Sequence, residues 1–290
     1  MTPTGSTGLA EAGYRVSRLS EPQQRSGFLL PAIHLTENLR PMLPHFTLSQ
    51  WLLAVLAAFC IGFAKSGFNG AGLVTVLVAA HLFGARDSTG VVLPMLICGD
   101  ILSVLVFHQH ARWPTIWRLL PPTIVGIIAG FVLMHWIDDA AYRPVIGWIV
   151  LALVLLQLWR RWRPDSFEHL PRSRAFAWSM GGAGGFTTMV ANGAGPVMTL
   201  YFLATRTPKY ELVGTMAWLF LIVNLIKVPF SVSLGLIHGS SLLFNALLFP
   251  VIALGIFAGQ RLIRIVPQAV FETLLLIFAA VASLRMIGAF

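Results

Sequence analysis

The residues of this sequence best suited to chemistry in an apolar setting form two matched sets. The first is Asn69-Gly70-Ala71-Gly72, which recurs 123 residues later as Asn192-Gly193-Ala194-Gly195. Glycine lets a backbone leave helical geometry and approach a ligand closely. A helix that restarts after such a break offers free N–H groups and the positive end of its dipole, which suits an anion. Asn69 and Asn192 add side-chain amides, Ser66 and Thr188 are hydroxyls nearby, and Lys65 is a cation just ahead of the first break. A plainer reading makes each motif a tight turn between packed helices, with Asn chosen for its tolerance of left-handed backbone. Two copies at matching positions favour a substrate or ion site.

The second set is polar and lies in the middle of apolar runs. Asp100 and Ser103 are three residues apart and so share a helix face, and their counterparts Asn224 and Lys227 have the same spacing. Ionisable groups at bilayer depth are costly and usually face the bundle interior or a wet cavity. In one reading Lys227 attracts an anion, while Asp100, with Asn224 and Ser103 beside it, takes and releases a proton for coupling. In the other, Asp100 and Lys227 are a structural ion pair that locks two helices.

Lipid-embedded helices must position these groups. Of 290 residues, 57% are hydrophobic and only 11% charged, with mean hydropathy +0.78. A soluble domain carries about a quarter of its residues charged, so the solvent around most of this chain is lipid. The formal charge of +9 does not point to nucleic acid, because the basic residues sit in short loops such as Arg160, Arg161, Arg163, Arg172 and Arg174. Such loops set orientation by the positive-inside rule. That rule makes the Arg160–Arg174 loop cytoplasmic, with those carrying Arg112, Arg206 and Arg264, and leaves Asp138, Asp139 and His238 outside. Trp113, Trp117, Trp136, Tyr142 and Trp162 lie near segment ends and read as an aromatic belt. Cys60 and Cys98 read as buried thiols. No Cys/His array has metal-site spacing, no phosphate-binding GxxxxGK[ST] loop is present, and no cofactor is implied.

Apolar segments fall at roughly 47–64, 68–83, 89–107, 115–136, 142–159, 175–190, 194–205, 211–235, 241–262 and 268–288. Several are short for a hydrocarbon core of ~30 Å. Short, glycine-interrupted segments read as broken or re-entrant helices, which survive at membrane depth only around a cavity or inside protein. Residues 1–44 are rich in Ser, Thr, Pro, Gly and Arg and read as a disordered tail, with Met42 an alternative start.

The repeat extends beyond the tetrapeptide. Gly90 matches Gly214 at an offset of 124, and the Pro121…Gly126…Gly130 pattern recurs as Pro250…Gly255…Gly259 at 129. The reading is therefore an all-α membrane protein with a first transmembrane repeat over 45–165 and a second over 166–290. An odd number of segments per half makes the two repeats inverted. The Gly126/Gly130 and Gly255/Gly259 pairs read as close helix packing.

The stretch Gly62-Phe-Ala-Lys65-Ser-Gly67-Phe-Asn69-Gly-Ala-Gly72, echoed by Gly181-Gly-Ala-Gly-Gly185 through Asn192-Gly-Ala-Gly195-Pro196, resembles the sulfite exporter TauE/SafE family over about residues 46–290. The resemblance implies a bacterial inner-membrane, multi-pass transporter of small anions such as sulfite or sulfoacetate. The expected function is a non-enzymatic secondary transporter, its export of the anion coupled to a proton or sodium gradient. Its expected partners are the anion and the bilayer, with no nucleic acid and with self-association left open. Alternatives are a channel or metal-cation transporter, for which Asp100 is nearly alone as an intramembrane carboxylate, and a membrane-embedded lipid-phosphate enzyme, which lacks an acid cluster. Leu73 stands where the second copy has Pro196, and Lys65 where it has Thr188, so the two breaks are chemically unequal.

Overall fold

Apolar side chains fix helix as the only economical backbone here, because each peptide group in lipid must find its hydrogen bond within its own segment. In the computed structural model, residues 46–68, 70–163, 173–237, 239–262 and 268–289 are described, and they form helices with no strand among them. The N-terminal tail, Asn69, Arg172, Arg264 and His238 lie outside the described residues.

Ten helices follow in order among the described residues: α1 (Leu48–Lys65), α2 (Gly70–Phe83), α3 (Asp87–Phe107), α4 (Trp113–Trp136), α5 (Asp139–Trp162), α6 (Arg174–Ala191), α7 (Ala194–Ala204), α8 (Lys209–Ser233), α9 (Gly239–Leu262) and α10 (Gln268–Ile287). Local chemistry starts several of them. Thr47 and Gln50 cap α1 reciprocally, Asp138 caps α5 through the Ala141 N–H, and Ser173 caps α6 through the Phe176 N–H, each side chain satisfying an N–H that the first turn leaves free. Six helical stretches, in α1, α3, α4, α5, α8 and α9, are long and apolar enough to cross a membrane. The molecule is a multi-span helical membrane protein.

Helix α2 has 14 residues and α7 has 11, so they reach only ~21 and ~16 Å. Each folds back along its predecessor. Phe46, just before α1, lies 5.6 Å from Phe83 at the end of α2, and Phe176 near the start of α6 stacks at 5.8 Å on Tyr201 near the end of α7. Each pair is a helical hairpin, with residues 70–72 opening the return helix of the first and residues 192–195 at the tip of the second.

The hairpins pack into opposite halves of the chain. Helix α1 lies against α9, α6 against α4, α3 against α8, and α5 against α10. Glycine permits the closest of these approaches. A Cβ on Gly62 would strike the Ile252 carbonyl, and one on Gly185 would strike the Thr123 carbonyl. The repeat offsets of 123 and 129 carry one contact onto the other. Gly255 against Phe59 and Gly126 against Gly182 form a second matched pair. The expected packing role of Gly126 and Gly255 is thus met by backbone-to-backbone approach.

Trp113, Trp117, Trp136 and Trp162 are exposed, as an aromatic belt requires. Tyr142 is not: it is fully buried, and its hydroxyl donates to the Val190 carbonyl at 2.5 Å. That carbonyl belongs to the last turn of α6, where helix geometry supplies no partner.

Candidate functional site

The tip of the second hairpin is built by Asn192. It adopts left-handed geometry, φ 51° and ψ 26°, and ends α6; Asn tolerates this conformation better than most residues. Its N–H returns to the Thr188 carbonyl at 3.0 Å, and the Gly193 N–H to the Thr187 carbonyl at 3.1 Å. The turned chain re-enters helix at Ala194.

Lys227 of α8 closes this tip from the side. Its ammonium donates to the Asn192 side-chain carbonyl at 2.6 Å and to the Thr188 main-chain carbonyl at 2.7 Å, with the Thr188 hydroxyl at 3.4 Å. A cation at a helix C-terminus sits at the negative end of the dipole, which offsets part of the desolvation of a side chain only 1% exposed. Asn192 in turn donates through Nδ2 to the Thr89 carbonyl of α3 at 3.1 Å. One amide therefore joins the hairpin tip to α8 and α3.

Asp100 is fully buried on α3. Lys65, the last residue of α1, donates to its Oδ1 at 2.5 Å, and Asn224 of α8 donates to its Oδ2 at 2.7 Å. The direct cationic partner of Asp100 is thus Lys65, whereas Lys227 hydrogen-bonds the second hairpin. Asn224 is the repeat counterpart of Asp100, so the two halves meet at this pair. Because the carboxylate fixes Nδ2 as the donor, the Asn224 amide keeps Oδ1 as an acceptor, and that oxygen is buried without a partner among the described residues. Formally the network holds two ammonium groups and one carboxylate, a surplus of one positive charge.

Between the hairpin tips lies a cavity of about 70 Å³. Of the residues singled out from the sequence, Lys65, Gly72, Thr188, Asn192, Gly193, Gly195 and Asn224 line it. Gly70 begins α2 and is buried. Ser66 caps α1, its hydroxyl donating to the Phe63 carbonyl at 2.7 Å, and packs at Gly259. Ser103 is buried one turn beyond Asp100. Lys227 and Asp100 stand behind the cavity wall and hold residues that form it. Phe220 also lines the cavity, with the Lys65 ammonium 4.9 Å from its ring centroid; an aromatic in an apolar run gives no sequence signal of that role. No group of three or more His, Cys, Asp or Glu able to hold a metal occurs among the described residues.

The chain matches no curated protein and no solved structure. The family model described as "Sulfite exporter TauE/SafE" matches residues 54–286, a span that contains both hairpin tips, the Lys65–Asp100–Asn224 contacts and Lys227, and the chain belongs to that family.

Proposed function

We propose that the chain is a secondary transporter that exports a small anion, sulfite or an organosulfonate, across the bacterial inner membrane at the expense of a proton or sodium gradient. The observation that carries this reading is the cavity between the hairpin tips, bounded by Lys65, by the amides of Asn192 and Asn224, and by the first residues of α7. A helix N-terminus with a nearby cation is a ready anion site. The surplus positive charge of the surrounding network favours one negative charge inside. A cavity of about 70 Å³ is small, which suits sulfite better than a longer organosulfonate.

Two inverted repeats explain the paired contacts. In this reading the α1–α2 hairpin is re-entrant from outside and the α6–α7 hairpin from the cytoplasm, the side of Arg112, Arg160, Arg161, Arg163 and Arg206. Rocking of one repeat against the other then exposes the cavity alternately. Lys65, Ser66, the Asn-Gly-Ala-Gly segments at 69–72 and 192–195, Thr188 and Lys227 form the substrate set. Asp100, with Asn224 and Ser103, forms the coupling set: protonation of Asp100 releases Lys65 to the anion.

Purified protein in liposomes tests the proposal. A gradient of sulfite should drive its movement, and an opposing proton or sodium gradient should accelerate it. Folded protein that moves neither sulfite nor any organosulfonate under either gradient removes the reading.

A further inference from the structure

A second and larger cavity, about 800 Å³, lies where the end of α2, the starts of α3 and α5, and the C-terminal half of α10 come together. Arg86, Arg143 and Arg285 line one part of it, and Phe278 and Val281 line another. Arg86 is bound to Asp139 at 3.2 Å. Asp87 and His81 also reach the cavity. Arg143 and Arg285 are exposed and have no ion-pair partner among the described residues. The cationic groups occupy helix ends, the depth of lipid headgroups. Phe278 and Val281, about half exposed, lie one to two turns before Arg285 on the same helix, the depth of acyl chains.

This gradient of charge to hydrocarbon along the bilayer normal is that of an anionic amphiphile. The volume, more than tenfold that of the cavity between the hairpin tips, falls in the range that encloses a ligand with tens of atoms. The arginines are also oddly placed for the positive-inside rule. They sit at the opposite end of α5 from Arg160 and Arg161, so membrane orientation cannot account for both clusters. We propose that this cavity binds an anionic phospholipid, its phosphate between Arg143 and Arg285 and an acyl chain along Phe278 and Val281. Guanidinium groups give phosphate oxygens strong, charge-assisted hydrogen bonds.

The test uses the full chain in mixed micelles with a phosphatidylglycerol that carries a photoactivatable acyl chain. Crosslinks should concentrate on α10 around Phe278 and Val281, and unlabelled phosphatidylglycerol should displace the probe on the order of tenfold better than phosphatidylcholine with the same chains. The double variant Arg143→Gln/Arg285→Gln should lose that preference, whereas Arg118→Gln/Arg163→Gln should keep it. Crosslinks spread evenly over lipid-facing helices, or equal displacement by the two lipids, overturn the proposal on wild-type protein alone. Displacement by glycerol phosphate as effective as by the lipid would mark a free-phosphate site, and a dimer lost in the Arg143/Arg285 variant without lipid crosslinks would mark a protein interface. Either result also overturns it.

Discussion

The Lys227 ammonium donates to the Asn192 side-chain carbonyl at 2.6 Å, so the left-handed cap of one hairpin is pinned by a cation from α8. Removing the charge while keeping the length, as in Lys227→Met, leaves the Thr188 and Asn192 acceptors without their donor. A hydrogen bond to a charged group contributes about 1.5–3 kcal/mol, so transport should fall by at least about tenfold with membrane insertion unchanged. Wild-type flux in liposomes would show that the contact does not shape the site.

Asn192 carries two separable duties, backbone and amide. Asn192→Gly keeps the left-handed turn accessible but removes both side-chain bonds. Asn192→Leu removes them and adds steric strain of about 1–2 kcal/mol. Both variants should lose most transport and lower the unfolding temperature through the two lost side-chain bonds, and Asn192→Leu should lower it further by its added strain. Equal unfolding temperatures would indicate that the turn is not strained by a branched side chain.

The sequence marks the places where α1 ends at Lys65 and α6 at Ala191, because glycine and asparagine inside apolar runs have few other uses. Close packing at Gly126 and Gly255 was legible for the same reason. The partner of Asp100 was not. Two-fold symmetry suggested Lys227, but Lys65 has Thr188 as its own counterpart, so the repeat gives no hint that α1 supplies the cation. Tyr142 misled in another way: its place near a segment end suited an interfacial ring. Only the depth reached by α6 shows that its hydroxyl is needed at the Val190 carbonyl. Hairpin depth depends on packing between distant helices, which local spacing does not encode.

Lys65 and Asp100 should behave as a unit. Lys65→Met leaves a fully buried carboxylate with Asn224 as its remaining side-chain hydrogen-bond partner among the described residues, and breaking a buried pair in this way costs about 3–5 kcal/mol. Adding Asp100→Asn should restore much of that stability, because no charge is then left uncompensated. Asp100→Asn alone should abolish flux driven by a pH gradient yet preserve counterflow of labelled anion. A double-mutant cycle on unfolding temperature reads the coupling. Additive effects would mean the pair is not an energetic unit.

The matched glycines make a comparison within one helix possible. A methyl at Gly185 would collide with the Thr123 backbone, whereas the nearest atom to a methyl at Gly182 is 3.8 Å away. Gly185→Ala, and its counterpart Gly62→Ala, should therefore destabilise by about 1–3 kcal/mol or more, as overpacking does. Gly182→Ala should be neutral or slightly stabilising, since alanine favours helix by up to ~1 kcal/mol. Thermal unfolding in detergent decides. Equal shifts at Gly182 and Gly185 would refute the close approach of α4 and α6.

Gly72 tests the cavity instead of the packing. Its nearest neighbour for an added methyl is the Ala64 Cβ at 3.9 Å, so Gly72→Ala should fold normally. The methyl takes about the space of one water, ~30 Å³, at a wall of the cavity between the hairpin tips. A single added carbon in a fitted pocket discriminates by about tenfold or more. KM for the larger organosulfonates should thus rise about tenfold relative to KM for sulfite. A uniform change across anions of different size, or none, would mean that the anion does not rest against α2, and would move the site away from this hairpin.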